Sequence, residues 1–94
     1  LWRMYLRWIE RKGFAGLESL WGTIAARAAA RPEGSYTTSL LDGGVDSVGR
    51  KVTEEATEVL LAAKDHAAGI AGGARLAEEA ADLLYHLLVL LASQ

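Results

Sequence analysis

Apolar positions along the chain recur at helical spacing, in stretches separated by polar or glycine-rich breaks. A first amphipathic stretch covers residues 2–12 and is interrupted at 13–16. Over residues 17–31, Leu17, Leu20, Trp21, Ile24 and Ala28 repeat at the three- and four-residue intervals that align side chains on one face of a helix. Pro32 disfavours α geometry at Arg31, and Glu33, Gly34 and Ser35 supply loop chemistry, so this helix should end there. Thr37 or Thr38 is expected to cap a short helical turn through Leu40 and Leu41, closed by Asp42, Gly43 and Gly44. Asp46 or Ser47 should cap the next helix, residues 47–66, with Val48, Val52, Ala56, Val59 and Ala63 facing inward. Glycines at 69, 72 and 73 then mark a loop before a last helix, residues 74–92. Its inward stripe is Leu76, Ala80, Leu83, Leu87 and Leu90, and Leu84, Leu88, Val89 and Leu91 extend the apolar surface almost all round. A helix of that kind needs burial on several sides, which in 94 residues is most simply supplied by a second subunit.

Composition sharpens this picture. The apolar content is dominated by Ala and Leu, with a single Pro, which favours an all-α fold. There is no Cys, so a metal site must use oxygen or imidazole ligands; a reduced, cytoplasmic setting is compatible. The formal net charge of -2 offers no basic excess for nucleic acid, although Arg3, Arg7, Arg11 and Lys12 make the beginning locally basic. The longest apolar run, residues 87–92, falls far short of the roughly 20 residues that span a bilayer, so no membrane partner is expected.

Two acidic pairs change the picture most. Glu55 and Glu58, and likewise Glu79 and Asp82, stand three residues apart, so each pair shares a helical face bordering the apolar stripe. If the two helices fold into an antiparallel hairpin, Glu55 opposite Asp82 and Glu58 opposite Glu79 both require the chain to reverse between Ala68 and Gly69. That point lies in the glycine-containing loop read independently from turn chemistry. Four carboxylates brought to one level repel each other and require counter-charge. Mg²⁺, or Mn²⁺ in its place, suits an oxygen-only ligand set better than Zn²⁺. The same acids would also serve as solvated helix faces paired with Lys51, Lys64 and Arg75; their matched register favours the metal site. Glu54 and Glu78 point off these stripes and read as surface. His86 lies one turn beyond Asp82 among apolar neighbours and reads as a hydrogen-bonded, partly buried histidine rather than a ligand. Trp2, Trp8 and Trp21 read as packing groups. Neither a Walker-type phosphate loop nor a nucleophile motif is present.

The pattern Glu-x-x-Glu, twenty intervening residues, Glu-x-x-Asp resembles the metal signature of the MazG-like all-α nucleotide pyrophosphatases. The words PEGSYTTSLLDGG (32–44), KVTEEATEVLLAAKD (51–65) and EEAADLLYHLLVLLA (78–92) narrow the resemblance to the phosphoribosyl-ATP pyrophosphatase family. That resemblance implies a MazG-like helical bundle completed by dimerisation, and Mg²⁺-dependent hydrolysis of phosphoribosyl-ATP to phosphoribosyl-AMP and pyrophosphate in histidine biosynthesis. Carried over by position, Glu55, Glu58, Glu79 and Asp82 would hold the metal, with Glu55 or Glu58 as the base for the attacking water. Lys51 would lie near the phosphates, and Ser35, Tyr36 and Thr37 would contact substrate; capping and turn formation would account equally for the Ser and Thr of that loop. Thr53 stands where the family often has Gly.

Residues 3–14 (RMYLRWIERKGF) do not follow this pattern and are similar to a helical stretch of bacterial peptide chain release factor 2. The expected organisation is therefore an N-terminal helical segment, 1–16, of separate origin and a pyrophosphatase-like domain, 17–94. Two alternatives stand beside the main expectation: a general nucleoside triphosphate pyrophosphatase, and a chimeric helical protein with a structural role, in which Trp2, Tyr5, Trp8 and Ile9 offer a partner surface.

Overall fold

The computed structural model describes residues 15–94; the helix expected at 2–12 and the release-factor-like stretch lie outside the described residues. The fold is all-α: α1 (Ala15–Ala30), α2 (Tyr36–Asp42), α3 (Gly44–Ala67) and α4 (Gly73–Ala92), with no strand among the described residues.

Helix α1 ends as the Pro32 rule requires. Arg31 turns to a left-handed φ of 47°, and its N–H still donates to the Arg27 carbonyl at 2.7 Å. Two caps differ from expectation. Helix α2 is capped by Ser35, whose extended backbone lets its Oγ accept from the Thr38 N–H at 3.4 Å, while Thr37 and Thr38 sit inside the helix and are buried. Helix α3 starts at Gly44 rather than at Asp46 or Ser47. The chain passes from α2 to α3 through Gly43 alone, and Gly44 makes the turn at φ 82°, a left-handed conformation closed to most side chains. Asp46 falls in the first turn of α3, where its charge opposes the positive end of the helix dipole.

Helices α3 and α4 form an antiparallel hairpin. Its turn is closed by Ala68 N–H to Lys64 carbonyl (3.0 Å) and Ile70 N–H to Asp65 carbonyl (2.9 Å). Across it Arg75 reaches Asp65 at 2.8 Å. The core lies at the opposite end of the hairpin, where Ile24 of α1 and Leu40 and Leu41 of α2 pack on Val48 and Val89. Burying a side chain such as Ile24 contributes roughly 1.5–3 kcal/mol. Both hairpin helices are rotated from the stripes that apolar residues alone suggest. In α3 the buried line is Val48, Glu55 and Ala62, while Ala56 is exposed. In α4 it is His86 and Val89, while Leu87 is open to solvent. Periodicity weighted on apolar residues does not place Glu55 inside, whereas His86 reads as partly buried from its apolar neighbours; in this rotation both are buried.

Candidate metal centre

The rotation brings carboxylates from both helices together. Glu55 and Glu58 of α3 and Glu79 of α4 each present an oxygen within 4.8 Å of the others. Glu55 is buried, Glu79 half-buried and Glu58 exposed, so the cluster runs from the interior to the surface. One oxygen each of Glu55 and Glu79, Oε2 in both, is buried without a hydrogen-bond partner. Such orphaned acceptors cost free energy unless something electropositive meets them.

Protein counter-charge does not fill that role. Lys51 pairs with Glu54 at 3.5 Å and Arg75 with Asp65 at 2.8 Å; among the described residues no Lys or Arg forms an ion pair with Glu55, Glu58 or Glu79. The nearest basic atom is Nδ1 of His86, 3.8 Å from Oε1 of Glu55. The carboxylates consequently perturb one another. Burial, then contact with Glu58, pushes Glu55 above the usual carboxylate range. Contact with Glu58 and then burial raises Glu79 to about 7. Contact with Glu79 and then with Glu55 holds Glu58 below its ordinary value. Three oxygen donors, two of them with orphaned buried atoms, fit a hard divalent cation.

Asp82, the fourth acid expected here, is not among the three. It lies on the same face of α4 as His86, one turn before it, and is exposed. Its charge still acts on Glu55, so it stands at the rim of the cluster.

Consecutive residues of α2 dock on consecutive residues of α4. Tyr36 OH lies 2.9 Å from Nε2 of His86, and Thr37 Oγ1 is hydrogen-bonded to the Tyr85 hydroxyl. His86 Nδ1 lies 2.8 Å from the carbonyl oxygen of Asp82, and the Tyr36 and Tyr85 rings stack with centroids 6.1 Å apart. Thr37, expected to contact substrate, is instead 1% exposed and engaged by Tyr85. Ser35 is occupied as a cap. Tyr36 is the residue of the three that remains half exposed, and its phenol, followed by Glu54, raises the pKa of Lys51. Tyr36 thus joins the loop to the acids. The sequence places His86 correctly as hydrogen-bonded and partly buried, but its partner lies fifty residues away and leaves no local signal. A recess of about 740 Å³ lies beside the loop, lined by Arg31, Glu33, Gly34, Ser35, Tyr36, Thr38, Ser39 and Asp42. None of the clustered acids lines it.

The chain is 49% identical over 76 residues to phosphoribosyl-ATP pyrophosphatase of Rhodopirellula baltica, covering 81% of this chain and 62% of that one. It is 53% identical over 78 residues to the protein of the same name from Limosilactobacillus fermentum, covering 83% and 69%. Its match to the histidine biosynthesis bifunctional protein HisIE of Bacillus subtilis is 52% over 83 residues, covering 86% of this chain and 36% of that protein. No solved structure matches the chain. The family described as phosphoribosyl-ATP pyrophosphohydrolase matches residues 17–94, and the chain belongs to that family.

Proposed function

We propose that the chain hydrolyses phosphoribosyl-ATP to phosphoribosyl-AMP and pyrophosphate at the Glu55, Glu58 and Glu79 cluster, with Mg²⁺ as the cation. The observation carrying this reading is the group of three carboxylates, two of them with an unpartnered buried oxygen, and none in an ion pair with Lys or Arg among the described residues. It is joined by membership of a family whose relatives bear that activity in their names. Glu55, Glu58 and Glu79 would hold the cation, with Asp82 at the rim. When bound, Mg²⁺ would neutralise polyphosphate charge and lower the pKa of water, with Mn²⁺ an acceptable substitute.

The chain's own groups divide the remaining work. Lys51, beside Tyr36 and Glu54, supplies positive charge for the phosphates. Glu58 is the exposed member of the cluster, where an incoming water can reach it, and is the acid proposed to take that water's proton. Glu55 is buried and less open to an incoming water. Leu60 of α3 and Leu84, Leu87 and Leu91 of α4 are exposed, and a second copy of the chain would cover them in a homodimer.

Pyrophosphate release from phosphoribosyl-ATP, measured beside ordinary nucleoside triphosphates with and without chelator, tests the assignment. Chelator-sensitive turnover with preference for phosphoribosyl-ATP is expected. Equal turnover of ordinary triphosphates would move the chain to general nucleotide pyrophosphatase activity, and an inert, folded protein would leave a structural role.

A further inference from the structure

We infer that the recess beside α2 is a subsite for the vicinal hydroxyls of a substrate ribose, with the Asp42 carboxylate as their acceptor and Arg31 holding that carboxylate in place, and that it does not take a phosphate.

The recess follows from the path of the chain. Pro32 ends α1 and Arg31 turns to a left-handed φ; α2 then carries the chain to Asp42, where Arg31 Nη1 meets Asp42 Oδ1 at 2.8 Å. The loop residues Glu33 and Ser35 and the α2 residues Tyr36 and Ser39 share the lining with that pair. The ion pair uses one oxygen of Asp42, whose side chain is still 61% exposed, so the carboxylate keeps acceptor capacity toward the recess it lines.

Charge and hydrogen-bonding capacity decide what fits. The charged lining is Arg31 against Glu33 and Asp42, and the guanidinium is already matched by Asp42. A phosphate entering here would meet two carboxylates and no unspent cation of the lining. Ser39 gives its proton to the Tyr36 carbonyl at 2.7 Å and retains lone pairs, while Ser35 accepts from the Thr38 N–H and retains its proton. Phosphate oxygens only accept, whereas each sugar hydroxyl both donates and accepts and can use every one of these groups. A carboxylate accepting from ribose hydroxyls is a recurrent way of holding a nucleotide sugar. The position suits a sugar as well. Tyr36 lines the recess, its hydroxyl lies 2.9 Å from His86, and His86 lies 3.8 Å from Glu55, so one tyrosine and one imidazole separate the recess from the acids. In a nucleotide the ribose follows directly on the phosphates, and phosphoribosyl-ATP carries a second ribose further out.

The ribose is that of the nucleotide substrate proposed above, so the assignment rests on that reading for the source of the sugar, while a first experiment needs no turnover. In amide NMR spectra of the intact chain, methyl riboside should shift the signals of Gly34, Ser35 and Ser39. Its 2,3-dideoxy counterpart and inorganic phosphate at the same concentration should not, and Asp42→Asn should abolish the response. No response to the riboside, or a response to phosphate in its place, overturns the proposal even if phosphoribosyl-ATP is hydrolysed. A riboside response in a chain that hydrolyses no nucleotide supports the sugar site and sinks the proposed activity. Turnover then identifies which ribose is held. Asp42→Asn should raise KM roughly tenfold with kcat nearly unchanged. An increase confined to phosphoribosyl-ATP assigns the outer ribose; one shared with ATP that vanishes with 2′,3′-dideoxy-ATP assigns the inner ribose. An equal increase with all three reports a general fault in the loop, and no increase with any leaves the carboxylate unused; either result overturns the assignment. Arg31→Leu should raise KM for the same substrates and Arg31→Lys, which keeps a cation beside Asp42, should recover most of the loss; an unchanged KM in Arg31→Leu would overturn the positioning role.

Discussion

Glu55 of α3 and His86 of α4 face each other across the hairpin at 3.8 Å, and both side chains are almost wholly withdrawn from solvent. An acid and an imidazole thus occupy positions where apolar residues would pack better. The cost is concentrated in Glu55, whose Oε2 has no partner. Glu55→Gln removes the buried charge while keeping the shape, so metal-free protein should unfold at the same temperature or higher. The stabilisation by Mg²⁺, about 2.7 kcal/mol at a hundredfold excess over Kd in the parent, should be largely lost. Thermal unfolding with and without Mg²⁺ measures both. A less stable metal-free variant that keeps the full Mg²⁺ response would remove Glu55 from the site.

Position relative to the cluster should rank the acids in turnover. Glu58→Ala removes a clustered carboxylate and the proposed base, and is expected to cost at least roughly a hundredfold in kcat/KM. Asp82→Ala, at the rim, should cost roughly tenfold or more through the electrostatics of the cluster. Glu54→Ala, which removes an exposed residue paired with Lys51, should stay within about threefold. Steady-state pyrophosphate release on the three variants checks this order, and Glu54→Ala matching Glu58→Ala would refute it.

Much of this was legible in the sequence, for identifiable reasons. The antiparallel reversal through the glycine-containing loop of 68–72 and the closeness of Glu58 to Glu79 follow from helical spacing and turn chemistry, both local properties. Membership of the family was carried by runs such as KVTEEATEVLLAAKD. What escaped was rotational. Counting apolar residues put Ala56 and Leu87 inside, where the fold puts Glu55 and His86. The core contributed by α1 and α2 packs on Val48 and Val89 of the rotated face, and Asp82 stays exposed outside the three-acid group. The Ser35 cap was misplaced because Thr37 and Thr38 are equally good caps in isolation; only the docking of Thr37 on Tyr85 removes them from contention.

Two glycines of α3 should respond oppositely to the same substitution. Gly44 holds φ 82°, so Gly44→Ala should destabilise the fold by about 1 kcal/mol or more despite open space around it. Gly49 lies within the helix with nothing near its Cβ position. Gly49→Ala should therefore stabilise by about 0.5–1 kcal/mol, since alanine has less backbone entropy to lose. Denaturant unfolding of the pair measures the signs, and two shifts in the same direction would contradict the local geometry.

The proposed dimer makes stability depend on concentration. Leu87 and Leu91 lie one helical turn apart on α4 and are 38% and 56% exposed in the single chain. Leu87→Glu would place a charge in the contact between subunits and should shift the protein toward monomer in sedimentation, with a lower midpoint of unfolding. An unchanged association state would exclude this face as the interface.

Glu79 sets the expected pH response. Contact with Glu58, then burial, raises it from an ordinary 4.5 to about 7, so the folded chain holds this proton more tightly than the unfolded chain does. Between about 4.5 and 7 the native state therefore binds more protons, and the contribution to stability falls as pH rises through that window, levelling above it. A bound cation displaces the proton, so apparent Mg²⁺ affinity should rise over the same interval and flatten beyond about 7. Unfolding of chelator-treated protein across this range, with Mg²⁺ titrations at each pH, measures both trends. Glu79→Gln should flatten the stability trend, because the amide neither gains nor loses a proton there. If metal-free stability instead rose with pH toward 7 and Glu79→Gln left that rise intact, the carboxylates would not be sharing a proton as the cluster requires.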